Sequence, residues 1–425
     1  MSKTQQNQYF RRFAPLAAPV VCTLILLVVL PADIAVSLVA IFTAAVGVTA
    51  YRLNNYLLAV FSGAFLFRVG FVVVNSIIGF LPTVPISTDH NQRAIDLATA
   101  LSNGQFFGTL GDVTTMRVVM AHLLAPFYVV LGHSPVAGRV GIAFVSLFIG
   151  YLVFKLARCV VDRQTSVLAA TVVLFWPTIV YRSVVIQREV VIVIAMLTFL
   201  WAAVQWLNTV TLRTVLIALL ATATTFTLRK ENLVLIAAMV GFVSLVKARD
   251  KPYYLVGLAL LAVPFLALFA LNFEAFTGHG TTLSPAALES FAYGRAHGDA
   301  VYLLGLQYET WLDVLLYAPM KVLYFLYTPF PWQIKGITEL LVGMSAIALF
   351  AATLFVRRGV TMLRDRPDYL GLLLTYFLTG VVTYSIIEMN YGAAVRRRIQ
   401  FIPLLLLLAV IGLSTIDIDV RWRQP

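Results

Sequence analysis

Apolar runs long enough to cross a lipid bilayer recur along almost the whole chain. A hydrocarbon core of about 30 Å takes about 20 helical residues, and short polar turns separate runs of roughly that length. The pattern predicts about twelve membrane-spanning helices, at residues 14–30, 34–51, 56–80, 136–157, 165–181, 187–206, 212–227, 232–247, 252–272, 337–356, 369–387 and 400–415. The expected fold is therefore an all-α polytopic membrane protein.

Four regions follow from this pattern. They are an N-terminal transmembrane hairpin (1–55), a transmembrane core (56–272) with a first outer loop (81–135), a second outer loop (273–336) and C-terminal transmembrane helices (337–425). The start of the chain resembles a secretory signal peptide, but apolar sequence continues past Pro31 and Asp33, so we expect an uncleaved hairpin. Short interfacial helices are expected in both outer loops, including one after Met116.

Composition supports the membrane assignment and narrows the function. The chain is 60% hydrophobic and only 12% charged, where soluble chains carry about a quarter charged residues. The net charge of +12 is attributed to cytoplasmic loops and not to nucleic-acid binding. Two cysteines, Cys22 and Cys159, provide neither a disulfide framework nor a cysteine-based metal site.

Basic residues concentrate in the turns that this topology places on one side of the membrane. Cytoplasmic loops carry an excess of lysine and arginine, so both termini are expected inside and the loops 81–135 and 273–336 outside. Three short outer turns break this rule, with Arg182, Arg188, Arg229, Lys230, Arg396, Arg397 and Arg398. These cations either pair with Glu189, Glu231 and Glu388 at helix ends or bind an anionic ligand. Because the cations outnumber the carboxylates, we favour a phosphate-bearing ligand.

The first outer loop predicts a short helix that lies on the membrane face. Apolar residues recur at helical spacing between Asp89 and Gly104, and Gly104 is expected to end the helix. Asp89, or one of the two residues before it, can act as the N-cap, and Arg93 four residues later can pair with it. A catalytic role is the alternative for Asp89.

The second outer loop ends in an aromatic stretch from Tyr324 to Trp332. Such residues form belts at the headgroup level of a membrane, and they also stack on sugars in carbohydrate sites. His122 and His133 have no companion at metal-ligand spacing, so no metal site is predicted. No nucleotide-phosphate loop, zinc-protease pattern or serine elbow is present.

Several of these features together resemble the GT-C superfamily of membrane glycosyltransferases. They are an acidic residue soon after a span (Asp89), a helix with small residues, the sequence Gly-His-Ser-Pro-Val-Ala-Gly-Arg ending at Arg139, and the turn Thr-Leu-Arg-Lys-Glu-Asn starting at Thr227. The resemblance covers about residues 56–250. It is greatest to protein O-mannosyltransferases and aminoarabinose transferases.

The resemblance implies a GT-C-like fold and a polyprenyl-phosphate-linked sugar donor. Asp89 then corresponds to the catalytic acidic residue of the first loop, and the need for a divalent metal stays open. The candidate donor-binding residues are Arg93, Arg139, Arg182, Arg188, Arg229, Lys230, Arg396, Arg397 and Arg398. The acceptor would be a glycan, lipid or protein, and the site would face the outside of the plasma (inner) membrane. Membrane lipids are expected partners, and nucleic acid is not.

Two other functions are compatible with the sequence. A surface-polysaccharide polymerase or ligase would also hold a lipid phosphate with arginines, but it needs no carboxylate base. A lipid-linked-sugar flippase or transporter should show internal repeats and charged residues deep in its spans. Only Arg68 meets the second condition, and no repeat is visible.

Overall fold

The computed structural model describes residues 34–79, 85–105, 116–256, 282–296 and 298–414, and within these residues the regular structure is helical. The α-helices are α1 (Ile34–Arg52), α2 (Tyr56–Ile78), α3 (Pro85–Ser102), α4 (Met116–Leu131), α5 (Pro135–Ala157), α6 (Arg163–Leu174), α7 (Pro177–Ser183), α8 (Glu189–Asn208), α9 (Leu212–Leu228), α10 (Leu233–Ala248), α11 (Pro285–Tyr293), α12 (Trp311–Tyr327), α13 (Ile337–Met362), α14 (Pro367–Ile387), α15 (Tyr391–Arg398) and α16 (Ile402–Leu413). A single antiparallel bridge joins Val301 to Asn390.

The long apolar helices make this a multi-pass membrane protein. Among the described residues, six helices are long and apolar enough to cross a bilayer: Tyr56–Ile78, Val136–Ala157, Glu189–Asn208, Lys230–Ala248, Glu339–Met362 and Pro367–Ile387. Helices α6 and α7 together form a seventh candidate that bends by 61°. The predicted span at 14–30 and most of the one at 252–272 lie outside the described residues.

One prediction about the first outer loop needs correction. Helix α3 begins at Pro85, so Asp89 is the fifth residue of the helix and not its N-cap. Proline is well suited to the first turn of a helix because its missing N–H has no partner there. The second outer loop, where helices were expected without stated bounds, contains α11 and α12. The predicted end of α3 is confirmed, because Gly104 adopts a left-handed conformation (φ +78°) directly after it.

The chain divides into two compact units. Unit 1 comprises residues 1–150 and 179–191, and unit 2 comprises residues 151–178 and 192–425. In unit 1, α1 packs against α2, and α3 packs against α4. In unit 2, α13 packs against α16 and α10 packs against α14.

Glycines allow a close approach between α13 and α16. A Cβ atom added at Gly359 would overlap the main-chain oxygen of Leu408, and one added at Gly412 would overlap that of Phe355. Small residues at helix contacts in membranes let the backbones approach and gain van der Waals packing. The sequence of α16 is apolar all round, which matches its burial in this contact.

Hydrogen bonds at both ends fix α10 against α14. Arg249, just after α10, donates to Asp368 in the first turn of α14 (2.8 Å). At the other end, the Tyr384 hydroxyl in the last turn of α14 donates to Asn232, just before α10 (2.5 Å). The two helices are therefore antiparallel. The polar end that contains Asn232 carries the candidate site of unit 2.

Candidate functional site

The predicted site residues fall into two groups, one in each unit. Unit 1 contains Asp89, Arg93, Arg139, Arg182 and Arg188. Unit 2 contains Arg229, Lys230, Arg396, Arg397 and Arg398. Each group is described by itself.

Asp89 forms the predicted ion pair with Arg93 in unit 1. The Arg93 Nε atom lies 3.1 Å from Asp89 Oδ1, and the two side chains are 46% and 36% exposed. Residues four apart lie on one face of a helix, so α3 itself provides this geometry. Asp89 is thus a half-buried carboxylate, with Arg93 holding one oxygen and the other oxygen buried.

Three helices of unit 1 meet next to this pair. The Tyr128 hydroxyl in α4 donates to the Asn91 side chain in α3. A Cβ atom at Gly138 in α5 would overlap that same hydroxyl and would lie 3.0 Å from Ile186. Arg139 follows directly and is electrostatically coupled to Tyr128. Because Gly138 has no side chain, the Tyr128 hydroxyl can lie against α5 and reach Asn91 in α3.

Arg182, near the end of α7, is bonded to the turn before α8. Its Nη1 atom donates to Gln187 Oε1 (2.9 Å), and its guanidinium lies 4.7 Å from the centroid of the Tyr181 ring. The side chain is buried. The turn therefore fixes one buried cation beside Arg188.

In unit 2, Asn232 organises the turn that carries Arg229. Its side chain accepts from the Tyr384 hydroxyl (2.5 Å) and donates to Gln400 Oε1 (2.6 Å). All three side chains are fully buried. These bonds hold the end of α9, where Arg229 lies, against the segment between α15 and α16. Lys230 in the same turn is exposed.

The three consecutive arginines of α15 have different surroundings. Arg396 is exposed. Arg397 contacts the fully buried carboxylate of Glu388, and its side chain is only 14% exposed. Arg398 is buried and donates to the main-chain oxygens of Leu326 (2.6 Å) and Thr328 (2.5 Å). Successive residues of a helix point about 100° apart, so the three side chains have different neighbours. Arg398 ties α15 to α12. The prediction that all three arginines bind the substrate stays a prediction.

Arg295 is a member of this group that the sequence analysis did not identify. Its Nη2 atom donates to Glu231 Oε1 (2.7 Å), and its guanidinium stacks on Phe291, 3.7 Å from the ring centroid. The residue lies just after α11, in the second outer loop. The sequence left open whether Glu231 pairs with cations near it; in the structure Arg295 contacts it, and Arg229 of its own turn also interacts with it electrostatically.

The group combines three guanidiniums with two carboxylates. Arg397 is electrostatically coupled to both Arg229 and Arg295, and the carboxylates are Glu231 and Glu388. The net charge of these five side chains is +1. Burial and, to a lesser extent, the nearby arginines lower the pKa of Arg397 to about 9, so this guanidinium stays protonated at neutral pH. Burial also lowers the pKa of Arg295, while Glu231 opposes that shift.

An excess of buried positive charge with several N–H donors is suited to an oxyanion. Within the described residues, no group of three or more histidine, cysteine or acidic side chains could hold a metal ion. The prediction that the arginines of both units line one cavity with Asp89 stays a prediction. Comparison of the chain with known protein families, curated proteins and solved structures gave no match.

Proposed function

We propose that this membrane protein is a glycosyltransferase that moves a sugar from a polyprenyl-phosphate donor to an acceptor at the outer face of the plasma membrane. The observation that supports this proposal is the group of Arg229, Arg295 and Arg397 at one end of the helices of unit 2. A lipid phosphate suits such a place, because its tail can lie along the apolar helices while its charge reaches their polar end. The acceptor would be a hydroxyl of a glycan, lipid or protein.

The arginines would act on the leaving group. The acceptor oxygen forms a bond to the anomeric carbon of the sugar, and the bond from that carbon to the phosphate oxygen breaks. Negative charge develops on the departing lipid phosphate, where fixed guanidiniums stabilise it more strongly than in the ground state. A planar guanidinium can also hold two phosphate oxygens at once.

Asp89 would accept the proton of the acceptor hydroxyl. It is a half-buried carboxylate that Arg93 orients through one of its oxygens. This role requires Asp89 to lie close to the anomeric carbon of the bound donor. The likeness of Asp89 to the acidic residue of the first loop in GT-C enzymes supports the assignment.

A polysaccharide polymerase or ligase is the second candidate. The observation that favours it is that the arginine group belongs to unit 2, whereas Asp89 belongs to unit 1. The arginine group can therefore bind an anion without a contribution from Asp89. In this reaction the arginines would hold the phosphate of a lipid-linked glycan, and replacing Asp89 would have little effect.

Binding of polyprenyl phosphate tests the anion site directly. We would measure its affinity for the purified protein in nanodiscs and compare Arg397→Lys with Arg396→Lys. The two residues are adjacent and carry the same charge, but only Arg397 is buried beside Glu388. Lysine is a point charge and cannot grip two oxygens, so Arg397→Lys should weaken binding by about tenfold, equivalent to about 1.4 kcal/mol.

Arg396→Lys should leave the affinity unchanged, because that side chain is exposed. Equal effects of the two changes would show general attraction of an anionic lipid to a basic surface. No measurable binding by the wild-type protein would refute the proposed donor class.

A further inference from the structure

Tyr302 is held beside the arginine group by its backbone. Its amide N–H donates to the main-chain oxygen of Met389 (2.9 Å), and the preceding residue, Val301, pairs with Asn390 in an antiparallel bridge. The segment of the second outer loop that carries Tyr302 is thus attached to the chain between Glu388 and α15. Tyr302 is electrostatically coupled to Arg397 and Arg398.

The hydroxyl of Tyr302 is buried and has no hydrogen-bond partner among the described residues. The residue is only 5% exposed, and its ring lies 5.3 Å from that of Tyr324. Other buried tyrosines of unit 2 are satisfied: the hydroxyls of Tyr308, Tyr376 and Tyr384 donate to Ile386 O, Gln400 O and Asn232 Oδ1, respectively. Buried hydroxyls nearly always have a partner, so an exception at a charged site needs an explanation.

A second donor on the same loop is also unsatisfied. Arg295 uses Nη2 to reach Glu231, while its Nη1 atom is buried without a hydrogen-bond partner in the described part of the chain. Arg295 and Tyr302 are both coupled to Arg397. Two donors from one loop therefore lie near the guanidinium that holds Glu388.

We propose that the Tyr302 hydroxyl donates a hydrogen bond to the lipid phosphate bound at Arg397. This inference rests on the proposed function, to which it adds a ligand-binding residue from the second outer loop. Burial raises the pKa of Tyr302, and the neighbouring arginines only partly offset that shift. The phenol therefore stays protonated at physiological pH and acts as a neutral donor and not as a base.

Removing this hydroxyl separates a ligand-binding role from a structural one. Tyr302→Phe deletes only the oxygen, and Tyr324→Phe is the matched control on the neighbouring ring. An unsatisfied hydroxyl does not stabilise the ligand-free protein, so its thermal midpoint in detergent should stay the same or rise with Tyr302→Phe. The affinity for polyprenyl phosphate in nanodiscs should fall about tenfold, the factor expected for a hydrogen bond to a charged group.

Three results would overturn the inference. Unchanged affinity in Tyr302→Phe would show that the hydroxyl meets only water. A lower thermal midpoint without ligand would show that it has a structural partner. An equal loss of affinity in Tyr324→Phe would show that the effect is not specific to the Tyr302 oxygen.

The outcome also distinguishes this inference from the proposed function. If wild-type protein binds polyprenyl phosphate and Arg397→Lys weakens binding while Tyr302→Phe does not, only the role of Tyr302 fails. If wild-type protein does not bind polyprenyl phosphate, the proposed function fails and the role of Tyr302 fails with it.

Discussion

Replacement of Asn232 should test whether its hydrogen bonds hold the candidate site together. Asn232→Ala removes the acceptor for Tyr384 and the donor for Gln400, and both partners are fully buried. A side-chain hydrogen bond between membrane helices contributes about 0.6 kcal/mol on average, and leaving a buried polar group unsatisfied costs about 1–3 kcal/mol. With two partners affected, we expect the free energy of unfolding to fall by about 1–4 kcal/mol.

A double-mutant cycle isolates the part of this destabilisation that comes from the hydrogen bond between Asn232 and Tyr384. Unfolding in mixed micelles, followed by tryptophan fluorescence, would be measured for Asn232→Ala, Tyr384→Phe and the double mutant. Residues in one hydrogen-bond network should couple by about 0.5 kcal/mol or more. The control cycle uses Tyr327→Phe, whose hydroxyl bonds to Thr353 (3.0 Å) and shares no partner with Asn232. Additive effects of Asn232→Ala and Tyr384→Phe would refute the network.

Three further predictions follow from individual contacts. Asp89→Asn should lower the rate of sugar transfer by about 100-fold or more. Asp96→Asn is the control, because Asp96 is an exposed acidic residue of the same helix that accepts from Gln92 (2.9 Å), and it should leave the rate unchanged. If Asp89→Asn transferred sugar as fast as the wild-type protein, the polymerase or ligase would be favoured. Gly359→Leu should lower the thermal midpoint, because its side chain would overlap Leu408; an unchanged midpoint would contradict the close packing of α13 and α16. Lys321 is fully buried in α12, donates to Tyr308 Oη (2.5 Å) and Ile386 O (2.6 Å), and has its pKa lowered to about 7, chiefly by burial. Between about pH 7 and 10 this lysine therefore binds more protons in the unfolded chain than in the folded protein. The free energy of unfolding should rise with pH in this range by at most about 1.4 kcal/mol per pH unit. Lys321→Met should remove this part of the pH dependence.

Local patterns predicted the helices better than they predicted the roles of charged residues. Length and hydropathy placed α2, α5, α8 and α14 within a few residues of their observed bounds, because each must satisfy its own backbone in an apolar solvent. The pairing of Asp89 with Arg93 was also predictable, since it depends only on the period of α3. Helix α3 starts at Pro85, earlier than predicted, because proline is well suited to the first turn of a helix.

The division of the three arginines in α15 could have been anticipated from helical geometry. Three consecutive residues cover about 200° of a helix, so at most two of them can face one ligand. Which of them faces Glu388 depends on the rotation of α15 against its neighbours. That rotation is set by long-range packing against α12 and α14, and no local pattern encodes it.

Arg295 and Tyr302 carry almost no sequence signal. Both lie in the second outer loop, and their partners Glu231 and Met389 are 64 and 87 positions away. Asn232 carries a clearer signal, because an uncharged polar residue next to a long apolar run usually has a partner. That signal does not identify Tyr384 and Gln400 as the partners, since both lie more than 150 positions away.

The balance of charge at this end of unit 2 links its structure to its proposed ligand. Glu231 and Glu388 each contact one arginine, which offsets the cost of removing the charges from water. Arg229 also interacts electrostatically with Glu231 and with Arg397, so three guanidiniums and two carboxylates lie in one poorly solvated group. In the proposed function, the carboxylates keep the guanidiniums in place before the donor binds, and a phosphodiester with one negative charge would add a counter-ion to the five side chains.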